Sequence, residues 1–158
     1  MEKKNKIYIH IARLISAIVV FVISARVGYM YITPTSYVSL NMNTSIEYSL
    51  NAFDMVISTV AVNEDDYDII YGLNLENKNI SEAVQETIDR IIENGKLSDD
   101  ENEDIIISVS NSNKNKAAQL VKELQEKTQN YVNVKGENAR VEAKQFYWLN
   151  VLIYIYVV

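Results

Sequence analysis

The first part of the chain is one almost continuous apolar run, Ile7 to Ile32, and the rest alternates between apolar and polar positions. Arg13 and Arg26 interrupt the run and leave an uncharged centre of 12 residues, Leu14 to Ala25. A membrane-spanning helix needs about 20 mostly apolar residues, and arginines near its ends can extend their charges to the lipid headgroups. The pattern therefore predicts one transmembrane helix over residues 7–32.

The residues that flank the run indicate its orientation. Three lysines lie within residues 1–6, and Tyr8, Tyr29 and Tyr31 stand near the two ends, where membrane helices carry interfacial aromatic residues. Because positive charge favours the cytoplasmic side, residues 1–6 are predicted to be a cytoplasmic tail. The protein is then a single-pass protein of the cell membrane, with the lipid bilayer as a partner and its C-terminal domain extracytoplasmic.

A cleaved signal peptide is the alternative interpretation of the same run. A basic start, a 12-residue core and the small residues Ser24 and Ala25 are typical of such a leader. The apolar residues that continue beyond Arg26 favour a retained anchor. Both interpretations place the rest of the chain outside the cytoplasm.

The alternating part predicts several strands before the first helix of the domain. Tyr37–Met42 and Ser45–Leu50 have apolar residues at every second position, which is typical of a half-buried hairpin. Residues 51–54 form a predicted turn, and Met55–Val62 is β-branched enough to be a third strand. Asp68–Leu73 is predicted as a further short strand.

Two helices are predicted in the second half of the domain. Asn79 begins the first as its cap, with Glu82 as a returning partner, and Gly95 ends it. Asn113 stands near the start of the second helix. The apolar face of the first comprises Ile80, Val84, Ile88, Ile91 and Ile92, and that of the second Ala117, Leu120, Val121, Leu124, Thr128 and Tyr131.

Two more strands complete a predicted α+β domain over residues 33–145. Ile105–Val109 is too short for a helix and is predicted as a central strand, and Ala139–Ala143 as the last one. Two helices that return to one sheet make a two-layer α/β sandwich behind the transmembrane helix. The predicted core includes Ile88, Ile92, Ile106, Leu120 and Leu124.

Charge and residue types exclude several function classes. Residues 33–145 carry 20 acidic and 10 basic side chains, so a nucleic-acid partner is not expected because phosphate would be repelled. The single histidine, His10, lies in the apolar run, so the domain has no histidine for a nucleophilic triad, and no enzyme is predicted. The acidic stretch 98–104 lacks the spacing of a calcium loop, and the carboxylates of 64–68 suggest a solvated turn. No metal or cofactor is predicted.

The end of the chain does not continue the pattern of the domain. Residues 146–158 are almost entirely apolar and aromatic, and they are too few to span a bilayer comfortably. This atypical tail either packs on the membrane surface or is a truncated or altered end.

The segment after the apolar run resembles a known family. Tyr31-x-Thr33-Pro34-x-Ser36-Tyr37-Val38-Ser39-Leu40 and Asn41-x-Asn43-x-Ser45-Ile46-Glu47 resemble the start of the extracytoplasmic domain of bacterial anti-sigma-I factors, the RsgI-like family. The resemblance continues through Asn51-x-Phe53-Asp54-x-Val56-Ile57, Asn63-Glu64-Asp65, Gly72-Leu73 and Ile106-Ile107-Ser108-Val109-Ser110, and covers about residues 31–143.

The resemblance implies a membrane-spanning regulator with an SEA-like outer domain. In the family a cytoplasmic domain holds an alternative sigma factor, and the outer domain cuts its own backbone at an Asn-Pro bond in the first hairpin. A stimulus linked to polysaccharide or envelope state separates the two halves, and an intramembrane protease then frees the sigma factor. The function predicted for this chain is therefore envelope signalling; the alternative is a membrane-tethered structural or interaction module with no sigma partner.

The chain departs from the family pattern at the site of cleavage and at its ends. The family's Asp-Ile-Asn-Pro is Asn41-Met42-Asn43-Thr44 here, only residues 1–6 precede the helix, and the tail replaces the expected continuation. We therefore expect that the sigma-binding domain is missing, from a fragment or a degenerate member.

Asn43-Thr44 is the candidate self-cleavage bond, and no other catalytic residue is predicted. Proline leaves no backbone N–H after the asparagine, so the asparagine amide nitrogen can attack its own carbonyl. With Thr44 that N–H returns and can attack the Asn43 side chain without cutting the chain. The Thr44 hydroxyl could still attack the Asn43 carbonyl if the fold strained the bond. An inert hairpin position is the favoured interpretation.

Overall fold

The computed structural model describes residues 2–97 and 104–146, and it shows a long helix followed by an α+β domain. The helices are α1 (Glu2–Ile32), α2 (Tyr67–Ile70), α3 (Ile80–Glu93) and α4 (Lys114–Lys135). The strands are β1 (Ser36–Asn41), β2 (Ser45–Leu50), β3 (Val56–Ala61), β4 (Asp104–Asn111) and β5 (Arg140–Gln145), and a 3-10 turn, Glu64–Asp66, precedes α2. Most of the acidic stretch and of the apolar tail lies outside the described residues.

The five strands form one mixed sheet in the order β3-β2-β1-β4-β5. β1, β2 and β3 form an antiparallel meander, β4 returns antiparallel to β1, and β5 lies parallel to β4. The parallel pair needs a crossover, which α4 supplies. The predicted first hairpin is confirmed, with Leu40 opposite Ile46.

The helices α3 and α4 cover one face of this sheet, so the predicted α+β fold with two layers is confirmed. Strand residues of that face, such as Leu40 and Ile107, form a single core with the buried residues of both helices. Tyr48 is wholly buried there, and its hydroxyl donates to Thr87 Oγ1 at 2.8 Å. The core therefore satisfies its largest polar side chain.

Ile106 is where the predicted core is wrong. Ile105 and Ile107 are buried, while Ile106 is half-buried on the opposite face. The run of three isoleucines has no alternation, so its pattern cannot reveal which residues face the core. Of the other predicted core residues, Ile88, Leu120 and Leu124 are buried, and Ile92 only packs against the core from its edge.

The predicted short strand at Asp68–Leu73 is also wrong. This segment forms α2 and the turn that follows it, and Gly72 has a φ of 76°. The acidic residues of the preceding turn and Asp68 stand at the N-terminal end of this helical stretch. Their negative charges interact favourably there with the positive end of the helix dipole and stabilise the helix. The acidic residues therefore favour a helix here although Ile69 and Ile70 have a high β-propensity. The side chain of Ile69 packs into the core from α2.

The predicted caps Asn79, Asn113 and Gly95 are confirmed, whereas no returning hydrogen bond from Glu82 is seen within the described part of the chain. The Asn79 side chain accepts from the Ser81 N–H at the start of α3, and that of Asn113 accepts from the Asn115 and Lys116 N–H groups at the start of α4. After α3, Gly95 adopts a φ of 63°, which a residue with a Cβ rarely does.

The apolar run forms α1, whose His10–Ile32 segment is 23 residues long and has no side chains buried against the domain. Its length and composition suffice to cross a membrane, and a signal sequence near the N-terminus passes the same test. The helix ends two residues before Pro34, as expected.

Candidate functional site at the ends of strand β1

The candidate cleavage bond lies in the turn between β1 and β2. Asn41 and Ser45 are the last pair of the hairpin, and the Met42 N–H donates to the Thr44 carbonyl at 2.9 Å. Asn43 is an exposed residue, whereas Thr44 is only 1% exposed. The structure therefore brings the two predicted residues together in the tight turn that the alternation implied.

A buried carboxylate, Asp66, holds this turn from the side. Asp66 is 3% exposed, and its Oδ2 accepts from the Ser45 backbone N–H and from Asn63 Nδ2, both at 2.9 Å. Its Oδ1 lies 3.5 Å from the ammonium of Lys96. The ammonium and the two hydrogen-bond donors together compensate the cost of burying the Asp66 carboxylate.

Lys96, just after α3, completes the attachment. Its ammonium donates to the Asp65 carbonyl at 3.0 Å, and its own carbonyl accepts from Asn43 Nδ2 at 3.2 Å. The turn is thus tied to the loop before α2 and to the end of α3. The prediction of a solvated acidic turn is correct for Glu64, Asp65 and Asp68, but it is wrong for Asp66.

These contacts bear on the chemistry that the bond can undergo. The Thr44 hydroxyl oxygen is buried and has no hydrogen-bond partner within the described residues. An attack by this oxygen needs a base to take its proton, and the nearby Asp66 already accepts two hydrogen bonds beside an ammonium. Neither Asn43 nor Thr44 has a positive φ, so the left-handed region stores no strain there. The contacts hold the turn in shape, and the inert bond stays a prediction.

The opposite end of β1 is joined to α1 by a second set of contacts. Asn51 Nδ2 donates to the Tyr31 carbonyl at 2.9 Å, and the Ala52 N–H lies 3.4 Å from the Met30 carbonyl. The Thr35 N–H donates to the Leu50 carbonyl at 2.8 Å. The last carbonyls of α1 therefore find partners in the β2–β3 turn, which satisfies groups that a helix end leaves free.

Aromatic and local polar contacts stiffen this junction. The rings of Tyr31 and Phe53 have centroids 6.3 Å apart, and the Tyr31 hydroxyl donates to Asn77 Oδ1 at 3.4 Å. Asn51 Oδ1 accepts from the N–H groups of Phe53 and Met55 at 2.9 and 3.1 Å. Asn51 thus closes its own turn and holds α1 with the same side chain. Its turn-closing role is visible in the sequence; its bond to α1 is not.

The described residues contain no group of three or more histidine, cysteine, aspartate or glutamate side chains arranged to hold a metal ion.

Comparison with known proteins gives the family. The model of the anti-sigma factor RsgI-like central domain matches residues 35–147. Among similar proteins of Acetivibrio thermocellus, anti-sigma-I factor RsgI9 is 33% identical over 81 residues, 51% of this chain and 11% of that protein. Anti-sigma-I factor RsgI7 is 29% identical over 105 residues, 66% of this chain and 19% of that protein, and RsgI6 is 32% identical over 75 residues, 48% and 10%.

The match to the family model covers both ends of β1. The chain spans between about a tenth and a fifth of the length of these relatives, so they identify a domain rather than a whole protein. Because the family model covers most of the chain, the chain belongs to the family of anti-sigma factors with an RsgI-like central domain.

Proposed function

We propose that this chain is the membrane-anchored, extracytoplasmic part of an anti-sigma-I-type regulator, which passes envelope or polysaccharide signals through α1 to an alternative sigma factor. Membership of the family supports the regulatory role. The apolar α1 supports the anchor. A sigma factor and an intramembrane protease are the proposed partners of the whole protein.

The observation that carries this proposal is the junction of α1 with the domain. A signal reaches a helix only if the domain holds the end of that helix. Here the β2–β3 turn bonds the Tyr31 carbonyl through Asn51 and packs Phe53 near the Tyr31 ring. A rearrangement of the sheet that moves this turn also moves the end of α1.

The predicted inertness of the Asn43-Thr44 bond gives the proposed mechanism its particular form. If the backbone stays intact, the two halves of the hairpin do not part, and the signal must reach α1 as a displacement. The attachment of the turn by Asp66 supports a domain that responds as one body. The junction at Asn51 is then the point on which transmission depends.

Membrane orientation is tested first, with single cysteines in a chain that has none of its own. We expect Lys122→Cys, on the exposed side of α4, to react with a membrane-impermeant maleimide on intact cells, and Lys4→Cys to react only after lysis. A released mature form that begins near Arg26 would instead show a signal peptide and end the anchor proposal.

The signalling role is tested by transcription from a sigma-I-dependent promoter in the native host. We expect Asn51→Ala to change reporter output in response to cell-wall polysaccharide, because it loosens the hold on α1. Asn130→Ala, an exposed asparagine on α4, is the matched control and should leave the response intact. A reporter that ignores both Asn51→Ala and deletion of the whole gene would favour the tethered module without a sigma partner.

A further inference from the structure

The face of the sheet opposite α3 and α4 has no helix packed on it in the described part of the protein. Strand register places side chains on it in rows that run across the strands. Across β2, β1, β4 and β5, one row reads Glu47, Ser39, Ser108, Lys144, and a neighbouring row begins Ser49, Tyr37, Ser110. The edge strand β3 adds Val60 and Ser58 beyond these rows. The middle of the face is rich in serine, and charged side chains stand on β2 and on β5, where Glu142 precedes Lys144 by two residues.

Within the four strands β2, β1, β4 and β5, the first row has opposite charges on its outer two strands, β2 and β5. Glu47 on β2 and Lys144 on β5 are both exposed, and no ion pair is seen for either within the described residues. Three strand spacings separate them, about 14 Å, with Ser39 and Ser108 between. They are too far apart to pair with each other. A second copy that is turned over about the midline of this row would place the opposite charge above each.

The second row is complementary in size about the same midline. Tyr37 on β1 pairs with Ser110 on β4, and Phe146 continues the register of β5 beside Ser110, since its N–H donates to the Val109 carbonyl at 2.7 Å. Turning the row over places large side chains above small ones: Tyr37 above Ser110 and Phe146 above Ser49. The Ser110 hydroxyl is already buried within one copy, so Tyr37 of the second copy lies above the side chains that cover Ser110 rather than on its hydroxyl.

We propose that this open face binds a second copy of the same chain, about a two-fold axis that runs parallel to the strands between β1 and β4. In this dimer Glu47 of each copy faces the partner's Lys144, and the serines at the centre let the sheets approach. Because the axis runs between β1 and β4, Ser39 of each copy lies above Ser108 of the other. The two packed sheets are then about 10 Å apart. The interface is isologous, as closed dimers require.

The direction of the axis agrees with the position of α1. An axis parallel to the strands keeps β1 of both copies pointing the same way, so both α1 helices leave from the same end. Two helices in one membrane must satisfy this condition. Ser24 and Gly28, one turn apart on the exposed surface of α1, are small residues of the kind that let two membrane helices approach closely.

The size of the face sets the strength of the contact. Four strands over six residues cover about 400 Å² per copy, or about 800 Å² in total, against about 1,200–2,000 Å² for stable complexes. The dimer is therefore weak and reversible in dilute solution. Confinement of both copies to one membrane raises their effective concentration and favours it.

Charge reversal with cross-linking tests the dimer in the full chain, reconstituted in phosphatidylcholine vesicles. All variants carry Ser108→Cys as the single cysteine, and a bismaleimide with a reach of about 10 Å measures the dimer. We expect Glu47→Lys and Lys144→Glu each to weaken dimerisation about tenfold, because each converts two symmetric attractions into repulsions. The double variant restores the opposite charges, so its cross-linking should return.

Matched controls carry the same charge changes on the exposed side of α4. Glu126→Lys and Lys122→Glu should leave cross-linking unchanged, and circular dichroism shows whether each variant is folded. Absence of cross-linking in the parent chain overturns the proposal. It is equally overturned if single and double reversals act alike, or if reversal has no effect, since the copies would then meet elsewhere, for example along α1.

Discussion

The two turns of the β1–β2–β3 meander are held in different ways. The β1–β2 turn makes few contacts of its own and depends on Asp66 and Lys96, which follow it by more than 20 residues in the chain. The β2–β3 turn is closed from within by Asn51, one of its own residues. The β1–β2 turn therefore keeps its conformation only while the surrounding domain is folded. The β2–β3 turn can keep its conformation through its own hydrogen bonds.

The same difference separates the roles that the two turns can take. The β2–β3 turn lies at the α1 end of the sheet and bonds that helix directly. The β1–β2 turn lies at the far end and is tied to the α2 and α3 segments. β2 runs between them, so a change at the far turn has a direct hydrogen-bonded route to the helix.

The largest effect is expected from Asp66→Ala. The substitution leaves the Ser45 N–H and Asn63 amide without their acceptor and removes the partner of Lys96. Loss of such a buried, hydrogen-bonded charge should lower the free energy of unfolding by about 3 kcal/mol. Urea unfolding of the full chain in detergent, followed by near-ultraviolet circular dichroism, measures it. Asp68→Ala, an exposed aspartate two residues on, should stay within about 0.5 kcal/mol; equal losses for both would show that Asp66 does not hold the turn.

A smaller effect is expected from Asn51→Ala, about 1–2 kcal/mol, since three hydrogen bonds of a buried but uncharged side chain are lost. The effect should be local. Amide hydrogen exchange should speed up at Phe53 and Met55 but not at Ser45, whose N–H is held by Asp66. Fast exchange at both turns would show that they open together, and the contrast between them would be lost.

The contrast also explains what the sequence could predict. The Asn79 and Asn113 caps bond N–H groups within three residues, so their partners are visible in the local pattern. Asp66 stands in a run of carboxylates that look alike, and its partners come from three separate segments. Nothing local marks it as the buried member. Ile106 fails for a related reason: its face is set by pairing with β1, since its own neighbours are all apolar.

Asp89 is a half-buried counterpart of the fully buried Asp66. It accepts from the Tyr131 hydroxyl at 2.6 Å and pairs with Lys135 at 2.8 Å, thus linking α3 to α4. Partial burial works against ionisation, but the hydrogen bonds from Lys135 and Tyr131 outweigh it and lower the pKa of Asp89 below its usual value. Because water screens this pair, Asp89→Asn should cost far less than Asp66→Ala.

The pH dependence of that cost checks its origin. A carboxylate with a lowered folded pKa stabilises the fold above its unfolded pKa, about 3.9, and this stabilisation is lost as pH falls through the folded value. The difference between the parent chain and Asp89→Asn should therefore be constant from pH 7 to about pH 4 and shrink below it. Thermal melts across this range measure it. A difference that persists in acid would assign the loss to packing of Tyr131 rather than to charge.

The smallest effect is expected at the Asn43-Thr44 bond itself. The unmodified chain should stay uncut, because the Thr44 N–H is present and the described contacts supply no base for the Thr44 hydroxyl. Thr44→Pro removes the N–H and leaves the Asn43 amide nitrogen free to attack its own carbonyl, so a small, slowly growing fraction should be cut after Asn43. Thr44→Ala keeps the N–H and should stay intact, which separates loss of the N–H from loss of the hydroxyl. Intact mass spectrometry measures cleavage in all three proteins.

Fragments ending at Asn43 in the unmodified chain, if they are absent in Thr44→Ala, would contradict this prediction and identify the buried Thr44 hydroxyl as the nucleophile. The β1–β2 turn would then be the point at which the two halves of the domain separate.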